Sequence, residues 1–306
     1  MAYEHLVLPC TPDARLAPLI ESLRNSPPGR AEDYLGTREA AELPHTGAAE
    51  ALRAEGADVR EVVAGGVPAM LVEPSGDASG TLIGLHGGSY VLCSATTHLR
   101  RFSAIGALAG LRTLVVDYRL APEHPFPAGL HDSIAALRWA AANLDGPLAL
   151  VGDSAGGGLA LATLLRARDV SAPSFGAAVV ISPWADLRCG APSHQTRRAR
   201  DPFAHLDDLP GYAALYAAGT DLDDPLASPV HGDYRGLPPL LVQIGSEETL
   251  YDDAIAVASA ADAAGVDVRV EEWTGMFHTW HAYAGEVTGA DEAIASAATF
   301  LRRVLG

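Results

Sequence analysis

Four apolar residues, Leu148 to Val151, run straight into Gly152-Asp-Ser-Ala-Gly156 and then into a stretch rich in Ala and Leu at helical spacing. Strand, sharp turn and helix in that order, with a serine at the apex, constrain this chain more than any other stretch. The backbone at such a serine is strained, so the residues two before and two after must lack side chains that would collide, and Gly152 and Gly156 meet that demand. The helix that follows aims its N-terminus at whatever charge develops at the Ser154 hydroxyl. Ser154 is therefore read as a nucleophile.

The rest of the chain reads as strands alternating with helices. Residues 1–56 are rich in Ala, Glu, Leu and Arg, broken by Pro27-Pro28-Gly29 and Pro44, and fit two or three short helices with no strand pattern, forming a lid over the site. From residue 57, Asp58–Val63 and Val67–Val72 look like strands paired across Gly65-Gly66. Further strands are expected at Thr81–Leu85, Leu114–Val116, Ala177–Ile181, Leu240–Ile244 and Val268–Glu272. Helices are expected at Thr97–Ala109, Leu130–Leu144, Leu250–Ala264 and Asp291–Leu305, with an irregular stretch from Trp184 to Tyr234. That alternation implies an α/β fold, a mostly parallel sheet covered by helices on both faces.

Composition narrows the function classes. With 21 basic and 38 acidic residues the net charge is −17, which argues against nucleic acid and anionic membrane as partners and fits simple solubility. All 21 are arginines, so Schiff-base chemistry and a phosphate-binding lysine are excluded. Cys10, Cys93 and Cys189 are few and far apart, and suggest neither a disulfide framework nor a zinc site. No leader pattern opens the chain and no segment reaches the ~18 uncharged apolar residues of a membrane span. A soluble protein of a reducing, cytoplasmic compartment is expected.

At the end of the strand Thr81–Leu85, His86-Gly87-Gly88-Ser89-Tyr90 offers two glycines whose backbone amides can face open space. Acyl transfer needs such amides about 3 Å from the oxygen that becomes negative. Gly87 and Gly88 are assigned as these donors, joined by the amide of Ala155, and His86 is read as fixing the loop through a ring nitrogen. A serine also needs a base and an acid to orient that base, in the chain order serine, acid, histidine. Of His194, His205, His231, His278 and His281, only the last two follow a late strand, and His278, first after the Gly275 turn, is chosen over His281, which is expected to begin the next helix. Among Glu247, Glu248, Asp252 and Asp253, the aspartates suit the first turn of a helix, and Glu248 on the loop is taken as the acid. Asp153 and the proline-rich Asp117–Pro127 are read as scaffold. Tyr90 and Trp184, with Ser89, are expected at the acyl or alcohol pocket, packing in the core being the alternative for the two aromatic rings. No metal or cofactor is needed.

Together His86-Gly-Gly-Ser89, Gly152-Asp-Ser-Ala-Gly-Gly157, Asp117-Tyr-Arg-Leu-Ala-Pro-Glu-His-Pro-Phe-Pro127 and Ile181-Ser-Pro-Trp-Ala-Asp-Leu187 resemble the hormone-sensitive-lipase family of α/β-hydrolases. The family's acid motif fits Gly245, Glu248, Leu250 and Asp252, and its M-x-H signature fits Met276-Phe-His278. Ser89 stands where the family has a third glycine, and Glu248 where it more often has aspartate. The resemblance implies an α/β-hydrolase domain over 57–306, with a helical cap built from 1–56 and an insertion at about 187–220. It implies a serine carboxylesterase acting on small acyl esters through an acyl-enzyme, with a lactone hydrolase or specialised biosynthetic hydrolase as the alternative. A non-hydrolytic binding protein or dehydratase is less consistent with the retained His278. Two copies pairing through a sheet edge, as a homodimer, is a further expectation of the resemblance.

Overall fold

The computed structural model describes residues 3–27, 29–203 and 208–306. In chain order the elements begin with β1 (Glu4–Pro9), α1 (Leu16–Arg24), α2 (Tyr34–Glu42), α3 (Ala48–Ala54), β2 (Asp58–Ala64), β3 (Val67–Glu73) and β4 (Thr81–Leu85). They continue with α4 (Ala95–Ala109), β5 (Arg112–Val116), α5 (Ala128–Asn143), β6 (Leu148–Asp153), α6 (Ala155–Asp169) and β7 (Ala177–Ile181). The last are α7 (Ser193–Thr196), α8 (Leu209–Ala217), β8 (Leu240–Gly245), α9 (Tyr251–Ala263), β9 (Val268–Thr274) and α10 (Thr288–Leu305). Among the described residues the strands form one sheet of nine in the order β1-β9-β8-β7-β6-β4-β5-β3-β2. Only the pairs β2–β3 and β3–β5 are antiparallel.

The centre of the sheet is a continuous apolar run because both of its faces are covered. Strands β4, β6, β7 and β8 are buried at every residue. Successive side chains divide between two cores: Ile83, Leu150, Val180 and Val242 pack with α5, α6 and α9, while Leu82, Val151, Val179 and Leu241 pack with α4 and α10. Each large aliphatic side chain so buried contributes ~1.5–3 kcal/mol.

Three expectations need correction. Residues 1–56 do contain a strand: β1 adds to the edge of β9 in parallel, pairing Leu6 with Glu271 and Leu8 with Trp273. Because β1 is an edge strand its residues are half-buried or exposed, so it lacks the apolar run that marks the central strands. The first 56 residues are therefore not all lid, since β1 belongs to the sheet and α3 packs on α4 and β2. The stretch 184–234 is not irregular throughout, for α8 is a helix with Leu209, Tyr212, Ala213 and Tyr216 buried. The next helical element, which His281 was expected to begin, is the 3₁₀ turn Trp280–Tyr283 and starts one residue earlier, ahead of α10 at Thr288.

Candidate active site

The turn between β6 and α6 is built by contact. A Cβ on Gly152 would stand 2.1 Å from the Gly156 carbonyl oxygen, and one on Gly156 would stand 2.1 Å from Leu85 O and 2.4 Å from His86 O. Neither position tolerates a side chain, and between them Ser154 is forced to φ 54°, ψ −123°. Its amide donates to Ile181 O at 2.9 Å, and its carbonyl accepts from Trp184 and Gly158 at 2.9 and 3.0 Å. The apex is thus fixed from both β7 and α6, and its hydroxyl is 3.0 Å from His278 Nε2.

His278 lies on the loop after β9, four residues past Thr274, where the sheet ends on the same side as the serine. Its Nδ1 is 3.2 Å from Glu248 Oε2, and Glu248 follows β8 by three residues. The carboxylate is held by its other oxygen, Oε1, which accepts from Gly245 N at 2.7 Å and from Ser182 Oγ at 2.8 Å. Ser182, at the end of β7, in turn accepts from the Thr279 amide at 3.2 Å, so one hydroxyl ties the acid loop to the histidine loop. Ser154, Glu248 and His278 are all buried. Burial pushes the His278 pKa down, but the Glu248 bond and charge, with Asp201 and Asp153 adding to them, outweigh it and hold the imidazole above its ordinary 6.5.

The loop after β4 departs from the expectation at Gly87. Its amide donates to Asp153 Oδ1 at 2.9 Å and faces His98 Nε2 at 3.0 Å, so it is turned to the elbow's carboxylate and is not free for a substrate oxygen. Among the described residues the amides of Gly88, Ser89 and Ala155 have no hydrogen-bond acceptor. The first amide is used to anchor the loop, so the amides without an acceptor begin one residue later than glycine content suggested. Gly88 is needed as glycine, with φ +110° and a Cβ position 2.3 Å from Leu92 O. His86 is structural as expected: Nδ1 is 2.8 Å from Gly87 O, and the ring stacks on Tyr118 at 4.2 Å.

A cavity of about 570 Å³ opens on Ser154 and His278. Its walls come from the α1–α2 connection and α2 (Pro27, Thr37, Ala41), from Leu92 and Cys93, and from Phe203 and Tyr283. Phe203 meets His278 edge-on at 5.9 Å. Ser89, Tyr90 and Trp184, expected at the pocket, are not in its walls. Tyr90 instead stacks on Tyr216 of α8 at 3.7 Å and lies 5.7 Å from Trp184, and both are buried. These aromatic rings brace the loop against α8, which is the core-packing alternative.

Of the other histidines, His281 Nε2 bonds Gln243 Oε1 at 2.9 Å, His194 bonds Asp253 at 3.0 Å and His231 pairs with exposed Asp223 at 3.3 Å. His205 lies outside the described residues. Ser182, Asp201 and Phe203 escaped the sequence reading. Asp201 is a buried carboxyl that accepts the Thr249 amide at 3.0 Å, and burial pushes its pKa up to about 6. Only Ser182 has a sequence signal, as part of the Ile181-Ser-Pro-Trp segment. No group of three or more His, Cys, Asp or Glu side chains suited to a metal ion occurs among the described residues. No helix there is long and apolar enough to cross a membrane.

Comparison with known proteins adds an independent line. A family model described as an alpha/beta hydrolase fold matches residues 82–282. The chain is 48% identical over 247 residues to an acetyl-hydrolase of Streptomyces hygroscopicus, covering 80% of this chain and 83% of that one. It is 36% identical over 233 residues to the carboxylesterase NlhH of Mycobacterium tuberculosis, covering 72% of each. Among solved structures, an esterase from the bacterial hormone-sensitive lipase family superposes with a TM-score of 0.88 at 38% identity, over 97% of this chain and all of the other.

Proposed function

This chain belongs to the hormone-sensitive-lipase family of α/β-hydrolases and is a carboxylic-ester hydrolase, and from that premise we propose that Ser154, His278 and Glu248 carry its reaction. The observation that supports this most is the continuous line from Ser154 Oγ to His278 Nε2 and from His278 Nδ1 to Glu248 Oε2, at 3.0 and 3.2 Å. Nδ1 donates to the carboxylate, which leaves the Nε2 lone pair facing the hydroxyl. His278 takes the Ser154 proton as the oxygen attacks the ester carbonyl, and the Gly88, Ser89 and Ala155 amides receive the developing oxyanion. The same imidazolium protonates the departing alcohol, and a water activated by His278 then releases the acid and frees Ser154.

The substrates are proposed to be esters with small acyl groups, taken into the cavity beneath the α1–α2 segment. That segment, with the part of the chain from about 187 to 220, acts as the cap. The 48%-identical relative is an acetyl-hydrolase, which agrees with a short acyl group. Cleavage of p-nitrophenyl esters of increasing chain length, alongside simple lactones, tests the class: turnover is expected to fall steeply beyond short chains. Turnover of lactones in preference to every ester would transfer the assignment to lactone hydrolysis. Ser154→Ala is expected to abolish ester cleavage, and more than trace activity in that variant overturns the proposed nucleophile.

A further inference from the structure

Asp153, inside the elbow, is a buried charge that the reaction above does not use. It is 2% exposed, and its carboxylate meets the Gly87 amide at 2.9 Å, Arg101 Nη1 at 2.6 Å and His98 Nε2 at 3.1 Å. A carboxylate out of water is costly to keep as an anion unless hydrogen-bond donors and, best of all, a cation compensate it. His98 does not supply one, since burial first and the field of Arg101 second push its pKa down to about 3. The ring lies between Thr97 Oγ1, 2.7 Å from its Nδ1, and Asp153, 3.1 Å from its Nε2. Arg101, on α4, is the one permanently charged partner of Asp153 among the described residues.

The anion so held grips a loop that does not hold itself. Gly88, Ser89 and Tyr90 have φ of 110°, 55° and 62°, a run that persists only where its surroundings over-determine it. A Cβ on Gly87 would stand 3.3 Å from Ser154 Cβ, so the loop touches the nucleophile, and turning one peptide there re-aims the amides that follow. We propose that Arg101 is a positioning residue for ester hydrolysis: through Asp153 and the Gly87 amide it holds residues 86–89 so that the Gly88 and Ser89 amides face the Ser154 hydroxyl. This rests on the serine-esterase reading above. Arg101 also stands in the walls of two cavities, the one over Ser154 and a second of about 610 Å³ on the side of α3 and α4, so a small cation can reach its place.

Arg101→Ala and Arg101→Gln are compared with the unaltered protein on p-nitrophenyl acetate, each rate taken per active site by titrating Ser154 with a phosphonate. Both are expected to lose kcat by on the order of 10–100-fold with KM little changed. Millimolar guanidinium chloride, far below denaturing levels, is expected to raise kcat of the alanine variant several-fold and to leave the unaltered protein as it was. A rise in KM with kcat intact would make Arg101 a substrate contact and overturn the proposal. Loss of kcat in a variant that melts normally but is not restored by guanidinium would reduce Arg101 to scaffold. If the alanine variant does not fold, the glutamine variant decides, and a kcat equal to that of the unaltered protein overturns the proposal. Failure of the serine-esterase reading is distinguished by Ser154→Ala, which leaves Arg101 in place.

Discussion

Glu248 is one methylene longer than aspartate, and its anchoring shows how the site uses that length. Oε1 is pinned by Gly245 N and Ser182 Oγ, which leaves only Oε2 to meet His278. Because the carboxylate raises the imidazole above 6.5, and a protonated His278 cannot take the Ser154 proton, kcat/KM is expected to fall on acidification through an apparent pKa above 6.5. Glu248→Gln removes the charge and should lower kcat by roughly 10³–10⁴-fold while moving that limb to lower pH. A pH–rate profile on p-nitrophenyl acetate checks both, and an unmoved limb would show that another group sets it. Ser154, Glu248 and His278 were legible in the sequence because each follows the end of a strand pattern, where a parallel sheet presents its side chains together. Gly87 was misassigned because residue type alone does not say which way a peptide points. Arg101 could not be read at all, since its partner Asp153 lies 52 residues away and nothing local marks it, and Ser182, 66 residues from Glu248, showed only as part of the Ile181-Ser-Pro-Trp segment with no sign of its partner.

At the scale of elements, α2 does more than roof the cavity. Arg38 donates from Nε to Val91 O at 2.9 Å and from Nη2 to Ala121 O at 3.1 Å, and Ser94 Oγ donates to Glu42 at 2.9 Å. One helix thus clamps the end of the strained loop to the turn before α5. Arg38→Ala leaves both carbonyls without their donor and should cost ~1–3 kcal/mol, seen as a lower urea midpoint with unchanged slope. An unshifted midpoint would show that the clamp contributes nothing. The central strands and the long helices were readable to within a few residues because full burial writes itself as an apolar run. The elements missed were β1, α7 and α8: β1 is half-exposed at an edge, α7 is a single turn of four residues, and α8 is apolar on most sides and lacks a polar face to reveal its period.

For the molecule as a whole, the net charge of −17 must be accommodated on a surface with few basic residues to answer it. Several of the arginines sit in exposed ion pairs that are individually weak, among them Arg100–Glu55 and Arg235–Asp233, so the long-range repulsion of the excess acidic residues is little answered. Raising sodium chloride from about 10 to 200 mM, which shortens the screening length to below about 10 Å, is therefore expected to raise the melting temperature. Calorimetry showing a fall would mean that local pairs outweigh the net field. The two neighbouring cavities have His45, Arg101 and Ala282 in common. Hollow space behind a reaction chamber is ordinarily the hardest thing to create in a packed interior, and here it already exists on the far side of a partition formed by three residues. Evolution or an engineer wishing to admit a bulkier acid has only to breach that partition at residues 45 or 282, with the excavation already done.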